Sequence, residues 1–346
     1  MKVVFSLKQM NSASSTRGIG VYTRELMSAL QKQFHRDKIV SALAKTKNIK
    51  ADIIHYPYFD PFFLTLHLTK KVPIIVTIHD LIPLRFASHF PVGLRGRISW
   101  QIQKFLVKRV DHIITDSNSS KQDIMQFIGI TEQKISVIPL GPNKSEKVPA
   151  RMTSKILSSY KLPEKYILYV GDINWNKNLV GLIDSFAQIK DNSFHLVLVG
   201  KVFADKPNIP EYHAIETAIN QSNKSAQIIC LGFIPSHHLS VIYSKAMLYV
   251  QPSWYEGFGL PILEAMKFGC PVATSDRGSL PEIGGNAVVY FDPKTNMTSV
   301  IEKLLKSPEK LAELRVLGLK QAELFTWENT AILTHKLYEK VLATRI

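Results

Sequence analysis

The chain has 346 residues, more than one typical core accommodates, so two domains are expected. Its composition, 45% hydrophobic and 21% charged with no low-complexity tract, excludes a disordered or fibrous protein, and no apolar run approaches the roughly 18 residues of a membrane span. The net charge of +15 sits mostly in one half: residues 1–150 carry 22 Lys and Arg against 10 Asp and Glu, residues 151–346 only 21 against 18. Such a field suits a polyanionic ligand, an anionic membrane surface or nucleic acid. With no zinc-finger, RRM-like or helix-turn-helix pattern, nucleic acid is disfavoured. Cys230 and Cys270 stand far apart in apolar contexts without metal-ligand spacing, as in a cytoplasmic protein with reduced thiols.

The opening MKVVFSLKQM reads as a first strand and is too short and too broken for a secretory leader. RGIGVYTREL (17–26) is a glycine-bearing loop feeding a helix over 20–34. Strands follow at DIIHYP and VPIIVTIHD, the latter ending in His79 and Asp80. In the helix over 94–109 Arg95, Arg97, Lys104, Lys108 and Arg109 are interleaved with Ile98, Ile102, Phe105 and Leu106. Two readings stay open for 94–110: a basic amphipathic helix lying on acidic lipid, or a surface helix with its apolar stripe in the core. HIITDS, a helix at 119–129 and KISVIPLG complete the first series. The Pro- and Lys-rich stretch 139–163 is a linker ending in a helix.

The second half repeats the pattern without repeating the sequence. Strands fit YILYVGD, FHLVLVG, QIICLG, MLYVQPS, CPVATSD and AVVYFD, with helices near 178–190, 211–222, 236–245, 261–268, 281–284 and 297–307. Short β-branched runs alternating with helices indicate parallel sheets of βαβ units, so the expected fold is α/β with two Rossmann-like domains. The expected domains are 1–150, 151–325 and a final amphipathic helix within 326–346 that packs back on the first domain. Ligands of open α/β sheets gather at the carboxyl ends of strands, and two facing sheets with those loops turned inward would form a cleft.

The loop after MLYVQPS is the most informative. Glu256 precedes a turn of Gly257, Phe258 and Gly259; Leu260 and Pro261 open a helix, and Glu264 lies one turn in. Proline is tolerated in a first helical turn, and the amides there favour a phosphate or polar oxygen. Helical side chains lean toward the N-terminus, so Glu264 can aim back at the ligand Glu256 meets. Read alone, the two acids are as well explained by a structural cap plus a surface carboxylate as by two contacts to different parts of one ligand. GDINWNKNLVGLI (171–183) places Gly171 at a strand end and Lys177 near a helix start, where a lysine supplies a point charge for a diphosphate. His79 at its strand end is either structural or positions a reacting group.

E-G-F-G-L-P-x-L-E-A-M over 256–266 resembles the signature of the glycosyltransferase 4 family of retaining GT-B enzymes. The resemblance extends through G-I-G-V-Y-T-R-E-L, T-I-H-D-L-I-P-L, T-D-S-N-S-S-K, V-I-P-L-G, V-G-D-I-N-W-N-K-N-L and S-L-P-E-I-G-G-N-A-V-V-Y-F-D-P. It implies that Glu264 holds the ribose hydroxyls, while Glu256 and the backbone of Phe258, Gly259 and Leu260 address the donor sugar. It further implies that Lys177 neutralises the diphosphate with the Gly18–Gly20 amides, that Gly171 lets the donor approach its loop, and that His79 positions the sugar. Phe233 would border the base. Where the family usually has a further basic residue, this chain has Asn176 and Asp172, which leaves Arg17 and Arg24 as candidate substitutes.

A departing nucleoside diphosphate needs fixed cations and N–H groups more than a strong acid. No Asp-x-Asp occurs in the chain, so no metal or other cofactor is expected. The resemblance implies transfer of a hexose, mannose preferred, from a GDP- or UDP-linked donor to a glycan or lipid-linked acceptor. The reduced cysteines lead to the expectation of a cytoplasmic protein, and the basic first half to one lying on the inner face of the plasma membrane if the 94–110 helix docks there. A catalytically silent nucleotide-sugar-binding scaffold and a nucleotide-sugar epimerase of the same fold are the alternatives. A dehydrogenase is disfavoured, because no GxGxxG follows a strand with an acid about 20 residues on.

Overall fold

The computed structural model describes residues 1–7, 18–42, 50–67, 72–143 and 148–344. Arg17 and most of the loop before the first helix lie outside the described residues. Contacts divide the chain into one unit of 1–141 with 325–346 and a second of 142–324.

The first unit runs β1 (Lys2–Ser6), α1 (Gly18–Gln33), β2 (Lys38–Ala42), β3 (Ile53–Tyr56), β4 (Ile74–Thr77), α2 (Ile82–Arg85), α3 (Leu94–Val107), β5 (His112–Thr115), α4 (Asn118–Ile128) and β6 (Ile135–Val137). Its described strands form one parallel sheet in the order β2-β1-β3-β4-β5-β6. β3, β4 and β5 are buried throughout, as strands covered on both faces must be, and Ile54, Val76, Ile113 and Ile124 share the core. β2 corrects the sequence reading, which had no strand there. KIVSA is a short, half-exposed edge strand whose lysine and serine mask the apolar signal.

The second unit runs α5 (Ala150–Ser159), β7 (Tyr166–Val170), α6 (Leu179–Ala187), β8 (His195–Val199), α7 (Val202–Asp205), α8 (Pro210–Gln221), β9 (Ile228–Leu231), α9 (Ser236–Lys245), β10 (Leu248–Gln251), α10 (Leu260–Lys267), β11 (Val272–Ser275), α11 (Leu280–Gly284), β12 (Val289–Phe291), α12 (Met297–Leu305) and α13 (Pro308–Ala322). α13 was not expected from the sequence; it starts at a proline in its first turn and packs on α10. The sheet order is β12-β11-β10-β7-β8-β9. This is the doubly wound dinucleotide-fold order, and it reverses between β7 and β10.

The last helix, α14 (Trp327–Ala343), belongs to the first unit and lies along α1. Thr326 caps it by accepting from the Asn329 amide at 3.1 Å. It buries Trp327, Ala331, Leu337 and Tyr338. Gly141 abuts the Trp327 backbone so closely that a Cβ would stand 2.5 Å from its nitrogen.

α3 does not turn its apolar stripe into the core. Leu94, Ile98, Ile102 and Phe105 are exposed, at 75%, 53%, 42% and 55%. The helix instead buries Gln103 and Val107. The Gln103 amide donates to the carbonyls of Asp60 and Phe63 at 2.9 and 2.7 Å and so seats the helix on the 60–66 loop. Phe63 and Leu64 on that loop are exposed as well.

Candidate active site

At the reversal point of the second sheet, β7 and β10 are hydrogen-bonded neighbours, and the loops leaving their carboxyl ends carry Lys177 and Glu256. Lys177 Nζ donates to both carboxylate oxygens of Glu256 at 2.8 Å. Glu256 Oε1 also accepts from Gln251 Nε2 at 2.8 Å and Ser253 Oγ at 2.6 Å. A buried carboxylate loses its hydration, and four charge-assisted bonds replace it.

The two loops are stitched to each other. The Asn176 side chain donates to the Tyr255 carbonyl at 3.0 Å, its own carbonyl accepts from the Trp254 amide at 2.7 Å, and Asn178 donates to the Pro252 carbonyl at 3.1 Å. Asn176 is 2% exposed, which explains the neutral side chain where the family usually has a cation: its amide is spent on holding the loops together. Asp172 serves its own turn by accepting from the Ile173 amide at 2.9 Å. The rings of Trp175 and Trp254 stack 6.3 Å apart beside the pair.

A third loop locks Glu256 from below. The Ser279 amide and hydroxyl donate to the Glu256 carbonyl at 3.2 and 3.1 Å, and Ser275 Oγ donates to the Ser253 carbonyl at 2.6 Å. Gly278, at φ +60°, lies so near that a Cβ would stand 2.6 Å from the Glu256 carbonyl oxygen. Gly259 takes φ +100° and turns the chain into α10, with Leu260 and Pro261 in the first turn. Phe258 is buried, and Gly171 closes β7 by donating its amide to the Val199 carbonyl at 3.0 Å.

Glu264 sits one turn into α10 with different partners. The Asn143 amide donates to its Oε1, and Tyr243 OH donates to Oε2 at 3.3 Å. Lys267 Nζ donates to the Asn143 carbonyl at 2.6 Å and fixes that residue. Burial raises the Glu264 pKa from its ordinary 4.5 to about 7, against the lowering by Asn143, Tyr243 and Lys267. Phe233, after β9, is 70% exposed.

In the first unit His79 follows β4 and Asp116 follows β5, its paired neighbour. His79 Nδ1 donates to Asp116 Oδ2 at 2.6 Å, and Nε2 donates to the Pro57 carbonyl at 3.2 Å. Both partners are acceptors, so the ring is held as an imidazolium. Burial pushes its pKa down, but the charge and hydrogen bond of Asp116, with Asp80 and the Pro57 carbonyl, outweigh it and leave the pKa raised. Gly18 and Gly20 begin α1, where amides point along the helix axis. Arg24 is 62% exposed and lies 3.7 Å from Glu25.

Sequence reasoning found Glu256, Glu264, Lys177 and His79 but not their partners Gln251, Ser253, Ser279, Asn143, Tyr243 and Asp116. A strand-end position was the available signal for Asp116, Ser253 and Ser279; Gln251, Asn143 and Tyr243 carried none.

The family described as Glycosyl transferases group 1 matches residues 155–318, and Glycosyltransferase Family 4 matches residues 36–146. O-antigen chain mannosyltransferase B of Escherichia coli is 28% identical over 303 residues, 83% of this chain and 75% of that protein. The serotype-specific mannosyltransferase WbdA of Escherichia coli is 29% identical over 272 residues, 76% of this chain but 33% of its own length, so this chain spans about a third of WbdA. In fold, the sucrose-phosphate synthase from Thermosynechococcus elongatus superposes with a TM-score of 0.78 at 20% identity, covering 99% of this chain and 100% of that one. Fold and motif together define a GT-B glycosyltransferase. The matches over 36–146 and 155–318 support a glycosyltransferase of the glycosyltransferase 4 type.

Proposed function

We propose that the protein is a retaining, metal-independent mannosyltransferase of cell-surface polysaccharide synthesis, moving mannose from a nucleotide-sugar, GDP-mannose preferred over a UDP-linked donor, to a glycan or lipid-linked acceptor. The Lys177–Glu256 pair at the sheet's reversal point carries this reading, since ligands of doubly wound sheets bind there. The names of the mannosyltransferase relatives support the sugar and the pathway class.

Glu256 and the backbone of Phe258, Gly259 and Leu260 address the sugar hydroxyls near the anomeric carbon, and Glu264 receives the ribose hydroxyls. Lys177 takes up the charge of the departing diphosphate; in the first unit, the α1 amides at Gly18 and Gly20 and the His79 imidazolium are the positive groups that the family resemblance assigns to the donor. Gly171 keeps its loop low, and Phe233 offers a ring to the base. No bound metal enters this scheme, because fixed cations and helix dipoles carry the leaving-group charge.

The reading extends to a peripheral position on the inner face of the plasma membrane. The exposed stripe of α3, joined by Phe63 and Leu64 and flanked by Arg95, Arg97, Lys104, Lys108 and Arg109, supports docking on anionic lipid. Among the described residues no helix is long and apolar enough to cross a membrane.

The test is a panel of GDP-, UDP-, ADP- and dTDP-sugars scored by thermal shift, followed by transfer to a short α-mannoside with chelator present. GDP-mannose is expected to stabilise most and to yield an α-linked product undiminished by EDTA. Glu256→Gln should lower turnover at least about 100-fold while keeping the donor thermal shift. Equal turnover in that variant, metal-dependent transfer, or sugar conversion without acceptor would each overturn part of the scheme.

A further inference from the structure

Beneath His79 runs a buried polar chain that the proposed reaction does not use. Tyr338 of α14 meets His55 Nδ1 through its hydroxyl at 2.6 Å. His55 Nε2 meets Thr77 Oγ1 at 2.8 Å, and Thr77 Oγ1 meets Tyr22 OH at 2.8 Å. The Tyr22 ring then stands edge-on to the His79 ring, 4.7 Å between centroids. All four links are core residues, none more than 3% exposed.

Three hydroxyls and an imidazole in this core, between strands of isoleucine and valine, are unfavourable unless each is bonded, and apolar residues of similar size would fill the space more simply. What the polar chain adds is direction. His55 is held neutral, its pKa lowered to about 3 by burial and then by the His79 charge. A neutral imidazole donates at one nitrogen and accepts at the other, so Tyr338 and Thr77 must take complementary roles. Thr77 ends β4 two residues before His79. Tyr22 is thereby fixed at both ends, by its hydroxyl on Thr77 and its ring on His79. Its hydroxyl stays protonated, because burial and then the nearby Asp116 charge push its pKa up.

We infer that Tyr338 is a positioning residue for His79, acting from the last helix through His55, Thr77 and Tyr22. Residues 338 and 55 are 283 positions apart, so α14 is not only a packing element: it closes a chain of hydrogen bonds whose last member, Tyr22, sets its ring against the imidazolium that bonds Asp116. The kinetic consequence rests on the role proposed above for His79; the structural coupling does not.

The experiment uses the full chain with 15N-labelled histidine. The His79 ring resonances, assigned by their loss in His79→Ala, are read without substrate in Tyr338→Phe, Tyr22→Phe and Thr77→Val. Each variant deletes one hydroxyl and keeps the bulk. The expected result is a shift of the His79 ring signals in all three and their return in Thr77→Ser. With whichever donor turns over, kcat should fall about tenfold with KM within about twofold, as for a misplaced reacting group. Unchanged His79 signals in Tyr338→Phe, or in Thr77→Val should Tyr338→Phe not fold, would overturn the coupling. Shifted signals with unchanged kcat would overturn the positioning role. Full activity in His79→Ala would remove the reading of His79 itself and leave the coupling to the resonances.

Discussion

Lys177 and Glu256 were each visible as candidates in the sequence and were assigned to different parts of one donor. The structure joins them at 2.8 Å across 79 positions, so charge released when one moves is felt by the other. Asn176 shows the same kind of gap: read as a missing cation, it is a buried clamp. Glu264 gives a residue-scale prediction. Its pKa of about 7 lies above the ordinary 4.5, so its contribution to stability is complete below pH 4.5 and is lost as pH rises through 7. The ribose contact proposed for Glu264 needs the ionised form. Donor affinity should therefore weaken about tenfold per pH unit below 7, and Glu264→Gln should flatten that slope in calorimetric titrations between pH 5.5 and 8. A parental slope kept in the variant would remove Glu264 from the ribose.

At the scale of elements, α3 is where periodicity ran out. Apolar residues spaced i, i+4, i+8 and i+11 ordinarily mark a buried face, and here they mark an exposed one. The seat is taken by Gln103, whose four bonds with the 60–66 loop no hydrophobicity pattern announces. Ile98→Glu with Phe105→Glu should abolish sedimentation with vesicles containing phosphatidylglycerol and leave the thermal midpoint nearly unchanged, since both side chains are already in water. Sedimentation equal to the parent would discard the membrane reading. β2 and α13 were missed for different reasons: one is too short and polar, the other buries only Leu311, Leu314, Gly318 and Ala322, a stripe too thin to stand out among its charged neighbours.

At the scale of the molecule, strand order does what spacing along the chain cannot. The second sheet's reversal between β7 and β10 puts the two loops of the site side by side, although β8 and β9 intervene in sequence. The chain leaves the first unit at Gly141 and returns to it at Phe325, so the last helix is part of a core begun at the N-terminus. Trp327, 2% exposed and pressed on Gly141, is that helix's largest contribution. Trp327→Ala should cost about 3–5 kcal/mol, read as a lowered urea midpoint with unchanged slope. A loss below about 1 kcal/mol would mean that α14 is not integral to the first unit.

The alternation of short β-branched runs with helices was enough to determine two parallel α/β units, because each period is local and strands covered on both faces are mostly apolar. The E-x7-E block likewise determined the family and the two acids, since a glycine turn and a helix start are also local. Only the tertiary structure decided that Lys177 pairs with Glu256, that Asn143 and Tyr243 enclose Glu264, that α3 turns its stripe to solvent, and that Tyr338 reaches His55. Each of these depends on which distant strands and helices become neighbours. That is settled by total packing and by the bonding of buried polar groups, neither of which a window along the chain contains.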